Sequence, residues 1–362
     1  MPKKKKIRVG VIFGGRSGEH EVSFVSAQSV ITSLDLHKYI IVPIFVAKNG
    51  QWFSSSDAID KIKSGKLKSI PVANMTADPA QQFMDVAFPL IHGTTGEDGC
   101  LQGLLELADI PYVGSGVMAS AVGMDKIISK MVFQSANLPV VNYVHFLRRD
   151  WRKNQARHLK LIAKDLDYPV FVKPANSGSS VGINKAKNKS QLIKNINTAC
   201  QYDRKIMVEQ GIENYHELEV AVLGNDQPRA SMVGEIISCN EFYDYDAKYV
   251  AGKTKTVAPA MIPTALDDKI RKMAIQAFKA IDCSGMARVD FLYDKTVRKL
   301  YLSEINTLPG FTSISMYPKL WAKSGIAYHK LLDKLIDLAL ERHQDKKKSS
   351  SSFKQKSKWF QK

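Results

Sequence analysis

Residues 287–306 read ARVDFLYDKTVRKLYLSEIN, two β-rich runs joined by the polar segment 294–299. This pattern predicts an antiparallel hairpin. If Asp290 lies opposite Glu304, then Arg288 lies opposite Asn306, and the two-residue side-chain period puts all four on one face. Three oxygen-bearing side chains then converge beside one guanidinium. Hard Mg²⁺ ions take carboxylate and amide oxygens together with nucleotide phosphates, which makes Asp290, Glu304 and Asn306 a candidate two-metal phosphate site. A solvated hairpin face with an ordinary Arg–Asp pair is the alternative that the segment alone leaves open.

Working outward, Lys173-Pro-Ala-Asn-Ser-Gly178-Ser179-Ser180-Val-Gly182 lies between two predicted strands, PVFVKP and KIMVEQ. Small residues let backbone N–H groups approach phosphate oxygens, and Lys173 supplies a point charge at the strand end. No Lys-Ser or Lys-Thr follows a G-x-x-x-x-G frame, so this is not a Walker A loop. A flexible turn is the commoner fate of such a segment taken alone. The stretch Gly14-Gly15-Arg16-Ser17-Gly18-Glu19-His20-Glu21-Val22-Ser23 follows one strand and opens a helix, so its N–H groups face an anionic site. Its spacing departs from G-x-G-x-x-G and Asp35 falls near a helix end, which weighs against a nicotinamide oxidoreductase.

His92-Gly-Thr-Thr-Gly-Glu97-Asp98-Gly99 follows the run DVAFPLI, at a strand end where open α/β sheets place ligands. A lone loop histidine is more often structural. The run from Glu241 to Tyr249, with Lys248 inside it and Lys253 and Lys255 after it, is too aromatic for a linker and too charged for a core. It reads as an active-site lid, with surface decoration as the alternative. Elsewhere the chain alternates apolar runs such as IRVGVIF and IIVPIFV with helical stretches, the βα rhythm of a parallel sheet. Further helices are predicted over 119–136, 267–281 and 327–341.

At 362 residues the chain is long enough for two or three domains, and its 44% hydrophobic and 24% charged residues suit a folded body. The net charge of +17 is mostly terminal: residues 1–8 carry five cations and residues 346–362 seven, with no acid among them. A protein reading nucleic acid would carry a basic face on the folded body, and no such run is present. Cys100, Cys200, Cys239 and Cys283 are far apart with no metal-ligand spacing, which suits a reducing compartment. No apolar run approaches the ~18 residues of a membrane span, so a soluble protein is expected.

In order along residues 7–341, GGRSGEHEVS, HGTTGEDG, GSGVMASAVGMDK, VKPANSGSSVG, YDYDAKY, ARVDF and EINTLPGFTSIS resemble the motifs of D-alanine-D-alanine ligases. The resemblance implies an α/β chain with a three-domain ATP-grasp fold, α+β in its ATP-grasp part. An N-terminal Rossmann-like, substrate-binding domain would span 1–122, a central ATP-grasp domain 123–214 and a C-terminal catalytic domain 215–345. A basic, disordered tail would follow over 346–362. It further implies ATP-dependent joining of two D-alanines through D-alanyl phosphate, for peptidoglycan precursors, by a cytoplasmic homodimer that binds neither membrane nor specific nucleic acid.

Carried over residue by residue, Lys126 and Lys173 would contact ATP phosphates, Glu209 the adenine and Glu217 the ribose, with Ser179 and Lys248 also at the nucleotide. Asp290, Glu304 and Asn306 would bind two Mg²⁺, with Mn²⁺ as a substitute. Glu19 would hold the first D-alanine's ammonium and form a hydrogen-bonded set with Ser179 and Tyr249. Arg288 and the N–H of Gly310 would form the oxyanion hole. Ser315 and Lys248 would receive the second substrate's carboxylate, with His92 nearby. Depsipeptide and D-Ala-D-Ser ligases are the close rivals, distinguished at the lid and the second-substrate pocket, where a tyrosine at position 249 goes with D-alanine.

Overall fold

The computed structural model describes residues 5–54, 84–178, 181–238, 254–312 and 314–350. Its first sheet holds β1 (Ile7–Gly14), β2 (Tyr39–Val46), β3 (Trp52–Ser54) and β4 (Val86–Pro89) in the order β3-β2-β1-β4. β1 runs parallel to β2 and β4, and β3 is antiparallel to β2. Val9, Val11, Ile12 and Phe13 are all fully buried. A strand covered on both faces reads as an unbroken apolar run, which is why IRVGVIF does not alternate. The helices α1 (His20–Ser33) and α2 (Cys100–Leu107) belong to this part of the chain.

The single helix predicted over 119–136 is in fact two, α3 (Val117–Met124) and α4 (Lys126–Ser135). Asp125 between them is extended, and its side chain accepts the N–H groups of Ile127 and Ile128 at 3.1 Å each. Aspartate is a strong N-cap because it satisfies otherwise orphaned donors. The apolar spacing continues across it, which hides the break in the sequence.

The second sheet is antiparallel, with β5 (Tyr143–Leu147), β6 (Val170–Pro174), β7 (Asn184–Ala186) and β8 (Lys205–Gln210) in the order β5-β8-β6-β7. Packed on one face are α5 (Arg148–Lys153), α6 (Gln155–Asp165) and α7 (Lys189–Tyr202), around Trp151, Ile162, Ile196, Val172 and Val208.

The third sheet contains β9 (Tyr215–Gly224), β10 (Arg229–Ser238), β11 (Thr254–Val257), β12 (Gly285–Asp294) and β13 (Lys299–Asn306), ordered β11-β10-β9-β12-β13. The hairpin β12–β13 has the anticipated register: Arg288 faces Asn306 and Asp290 faces Glu304. A bulge follows Asp290, so that Phe291 faces Leu302. It shifts the outer half of the hairpin and leaves the four-residue face intact. α8 (Thr264–Ala280) buries Ile270 and Phe278 against Leu218, Val220, Val289 and Phe291.

The chain closes with α9 (Met316–Lys323) and α10 (Tyr328–Lys346). Leu331, Leu332, Leu335 and Ile336 of α10 share one apolar cluster with Val9, Val11 and Phe13 of β1. The two ends of the described chain thus share a core. α10 outruns its expected end at Glu341: Lys346 pairs with Glu106, and Lys347 lies 3.3 Å from Asp109.

Candidate active site

On the third sheet, strand alternation aims Arg288 and Asp290 at one face. Arg288 donates from Nε and Nη2 to the two Asp290 carboxylate oxygens, at 2.7 and 2.6 Å. Its Nε is also 3.3 Å from Glu219 of β9, which lies directly opposite Asp290. Three carboxylates, from Glu219, Asp290 and Glu304, raise the Arg288 guanidinium far above its ordinary range against the opposing effect of burial. Sequence reading missed Glu219, although the alternation of HELEV places it on the same face as Glu217. Glu217 is opposite Leu292, one step along that face. Asn306 accepts the Leu308 N–H at 2.9 Å, which orients its amide at the strand end. No cluster of three His, Cys, Asp or Glu side chains is arranged as a metal cage among the described residues. The expected ligand set needs only two carboxylates and an amide, donors that suit a cation which keeps waters and phosphate oxygens.

A second charged group forms between α4 and the central sheet. Glu209 on β8 is 3% exposed, and its two oxygens are taken by Lys130 at 2.6 Å and Lys173 at 2.5 Å. Burial alone would raise the Glu209 carboxyl, but the two ammoniums hold it down at about 2. Burial pushes Lys130 down, whereas Lys173, also facing Glu304 and Glu217, is held above its ordinary value. Lys130 was not anticipated, because one turn beyond Lys126 on an apolar helix it reads as a surface cation. Lys126 stands beside the acidic face: its Nζ donates to the Ser177 carbonyl at 2.7 Å and lies 3.9 Å from Glu304, whose charge also reaches Lys130 and Lys173.

The third element gathers the N-terminal loops. Ser23 of α1 accepts the Gly14 N–H and donates to the Leu90 carbonyl; Ser26 is 3.0 Å from His92 Nε2 and accepts the Phe311 N–H at 3.4 Å. His92 is buried, which lowers its pKa. A Cβ on Gly178 would stand 2.6 Å from Glu19 and 3.7 Å from Glu97, and one on Gly93 2.8 Å from Glu19. A side chain at Gly178 would therefore have to push the Glu19 carboxylate aside. Burial, then the Glu19 charge, pushes the Glu97 carboxyl up to about 8, and its Oε1 accepts the Gly93 N–H at 3.0 Å. At Gly310 a Cβ would meet the Ser315 hydroxyl at 2.7 Å, so these two expected site residues are adjacent. Ser179, Lys248 and Tyr249, with most of the expected lid, lie outside the described residues.

Family models for the D-ala D-ala ligase N-terminus and C-terminus match residues 8–115 and 132–337. The chain belongs to the D-ala D-ala ligase family. It is 50% identical to D-alanine--D-alanine ligase of Chloroherpeton thalassium, across 96% of this chain and 99% of that one. It also resembles, at TM-score 0.81 and 38% identity, the structure of the D-alanine-D-alanine ligase from Coxiella burnetii, covering 95% and 97% of the two chains. The VanG D-Ala:D-Ser ligase from Enterococcus faecalis superposes at TM-score 0.83 and 35% identity, covering 92% of this chain and all of the other, 100%. The family's ATP-grasp architecture accounts for the two separate antiparallel sheets, with Lys126 reaching Ser177 after a strand of one and Glu304 on a strand of the other. Glu19 and His92 fall within the matched N-terminal part, and Lys173, Glu209, Arg288, Asp290, Glu304, Asn306, Gly310 and Ser315 within the C-terminal part. Lys126 and Lys130 lie between the two matched spans.

Proposed function

We propose that this chain joins two D-alanines into D-alanyl-D-alanine with ATP, through D-alanyl phosphate, releasing ADP and phosphate. One observation carries the reading: in a chain of this family, Glu304 of the acidic hairpin face lies 3.9 Å from Lys126, and its charge also acts on Lys130 and Lys173. A polyphosphate with its cations needs both kinds of charge in one place. Lys126 and Lys173 meet the phosphates, and Glu209 and Glu217 the base and sugar, with Ser179 and Lys248 completing this side. Asp290, Glu304 and Asn306 would hold two Mg²⁺, or Mn²⁺. Bound there, the ions would neutralise phosphate charge during transfer.

Glu19 takes the ammonium of the first D-alanine and orients its carboxylate toward the γ-phosphate, with Ser179 and Tyr249 in the same hydrogen-bonded set. Arg288, kept cationic by its carboxylates, and the Gly310 N–H face the oxyanion that forms when the second amine attacks. Ser315 and Lys248 receive the second carboxylate beside His92. Because acyl phosphates hydrolyse, the lid excludes water. Division into parts at 1–122, 123–214 and 215–345 with a basic tail over 346–362, assembly as a homodimer, and a cytoplasmic place in peptidoglycan precursor synthesis complete the proposal. Among the described residues no helix is long and apolar enough to cross a membrane.

Ligation to D-serine is the second reading, favoured by the similarity to the D-Ala:D-Ser ligase. The test is phosphate release and product analysis with ATP, Mg²⁺ and D-alanine, L-alanine, D-serine or D-lactate. Dipeptide from D-alanine, none from L-alanine, is expected. Equal turnover with L-alanine refutes the ligase reading, and preference for D-serine moves it to the second.

A further inference from the structure

Lys130 has no part in the reaction described above, yet it is 1% exposed in the middle of α4. Lysine is almost never fully buried unless paired. Its partner is Glu209 Oε1 at 2.6 Å, and its Nζ stands 5.9 Å from the Tyr143 ring centroid. Glu209 occupies the middle of the central sheet, opposite Tyr143 on β5 and Phe171 on β6. Its other oxygen holds Lys173, whose side chain is 17% exposed. The three groups form a chain leading from an ammonium with no access to solvent to one at the mouth of the site.

Stability alone does not explain such an arrangement. A buried ion pair is often replaceable by apolar side chains at no loss, and an extended apolar residue would fill the place of Lys130. What a neutral residue could not do is hold the carboxylate. The terminal torsion of a glutamate is broad, so Glu209 with only one cationic partner would swing toward Lys173 and move it.

We propose that Lys130 is a positioning residue for nucleotide binding, acting through Glu209 to hold both that carboxylate and the Lys173 ammonium in place. This rests on the reading that the nucleotide binds beside Glu209. Lys130 touches no ligand itself. Its contribution is therefore specific to the nucleotide and absent from the amino-acid sites, which are built on Glu19 and Ser315.

The experiment is calorimetric titration of the full chain with a non-hydrolysable ATP analogue and Mg²⁺, alongside steady-state kinetics, for Lys130→Met, Glu209→Gln and the double variant. Lys130→Met should weaken analogue binding tenfold or more and raise KM for ATP correspondingly, with KM for D-alanine within about twofold. Adding Lys130→Met to Glu209→Gln should cause little further loss, because both act through one carboxylate. A folded Lys130→Met that binds the analogue as wild type does, or a loss spread equally over both substrates, overturns the proposal. If Lys130→Met does not fold, the double variant, which removes both charges, decides. Binding equal to that of Glu209→Gln supports positioning; much weaker binding, or failure to fold, overturns it. Unchanged binding by Glu209→Gln would instead refute the placement of the nucleotide.

Discussion

The hairpin face of β12 and β13 and the cluster beneath α4 are charged groups of opposite balance. In the first, Glu219, Asp290 and Glu304 outnumber Arg288; in the second, Lys130 and Lys173 outnumber Glu209. Burial is largely shared: the side chains of Glu219 and Asp290 are 4% and 9% exposed and those of Glu209 and Lys130 4% and 2%, while Glu304 reaches 39%. Glu304 is therefore the acidic group placed to exchange its partner for a cation, whereas Glu209 is fixed between its two ammoniums before any ligand arrives.

The sharpest break in this contrast is Glu304→Gln. It removes one anionic oxygen at constant shape from a partly exposed site, so turnover should fall by orders of magnitude with melting temperature nearly unchanged. Near-normal turnover at saturating ATP and Mg²⁺ would remove Glu304 from the metal set.

Glu209→Gln should show the reverse emphasis in stability. It leaves two buried ammoniums without their counter-charge, a loss on the order of 3 kcal/mol by urea unfolding. A loss no greater than that of Glu304→Gln would mean that the cluster is open to water after all.

A third prediction concerns pH. The folded-state pKa of Glu97 is raised to about 8 from an ordinary 4.5. Between those values the folded chain binds more protons than the unfolded one, so the group's contribution falls as pH rises. Glu97→Gln keeps an acceptor for Gly93 and removes that titration. Its melting temperature relative to wild type should therefore climb steadily from about pH 5 to about pH 8. A pH-independent difference would show that Glu97 ionises like an exposed carboxyl.

The smallest effect is expected at the C-terminus. Removing residues 351–362 leaves the pairs of Lys346 and Lys347 intact and should change dipeptide synthesis and stability by less than about 1 kcal/mol in either free energy. A cut before Lys346 should cost a few tenths of a kcal/mol more, since exposed pairs contribute little. A larger loss from the shorter cut would show that the basic tail docks on the body.

What could be read without coordinates was local. The period of two within residues 287–306 predicted the hairpin and put Arg288 with Asp290, and Glu304 with Asn306, on one face of each strand, whereas the bulge after Asp290 that sets Asp290 opposite Glu304 was decided by the structure. The unbroken run of β1 was also legible, while the cap at Asp125 was hidden by apolar residues on both sides of it. The tertiary structure alone decided which distant groups meet: Glu219 against Arg288, Lys130 and Lys173 on Glu209, Gly178 against Glu19, and α10 in the same core as β1. Those contacts join segments that no periodicity relates. Their energies come from burial and charge in a shared low-dielectric space, a property of the packed chain rather than of any stretch of it.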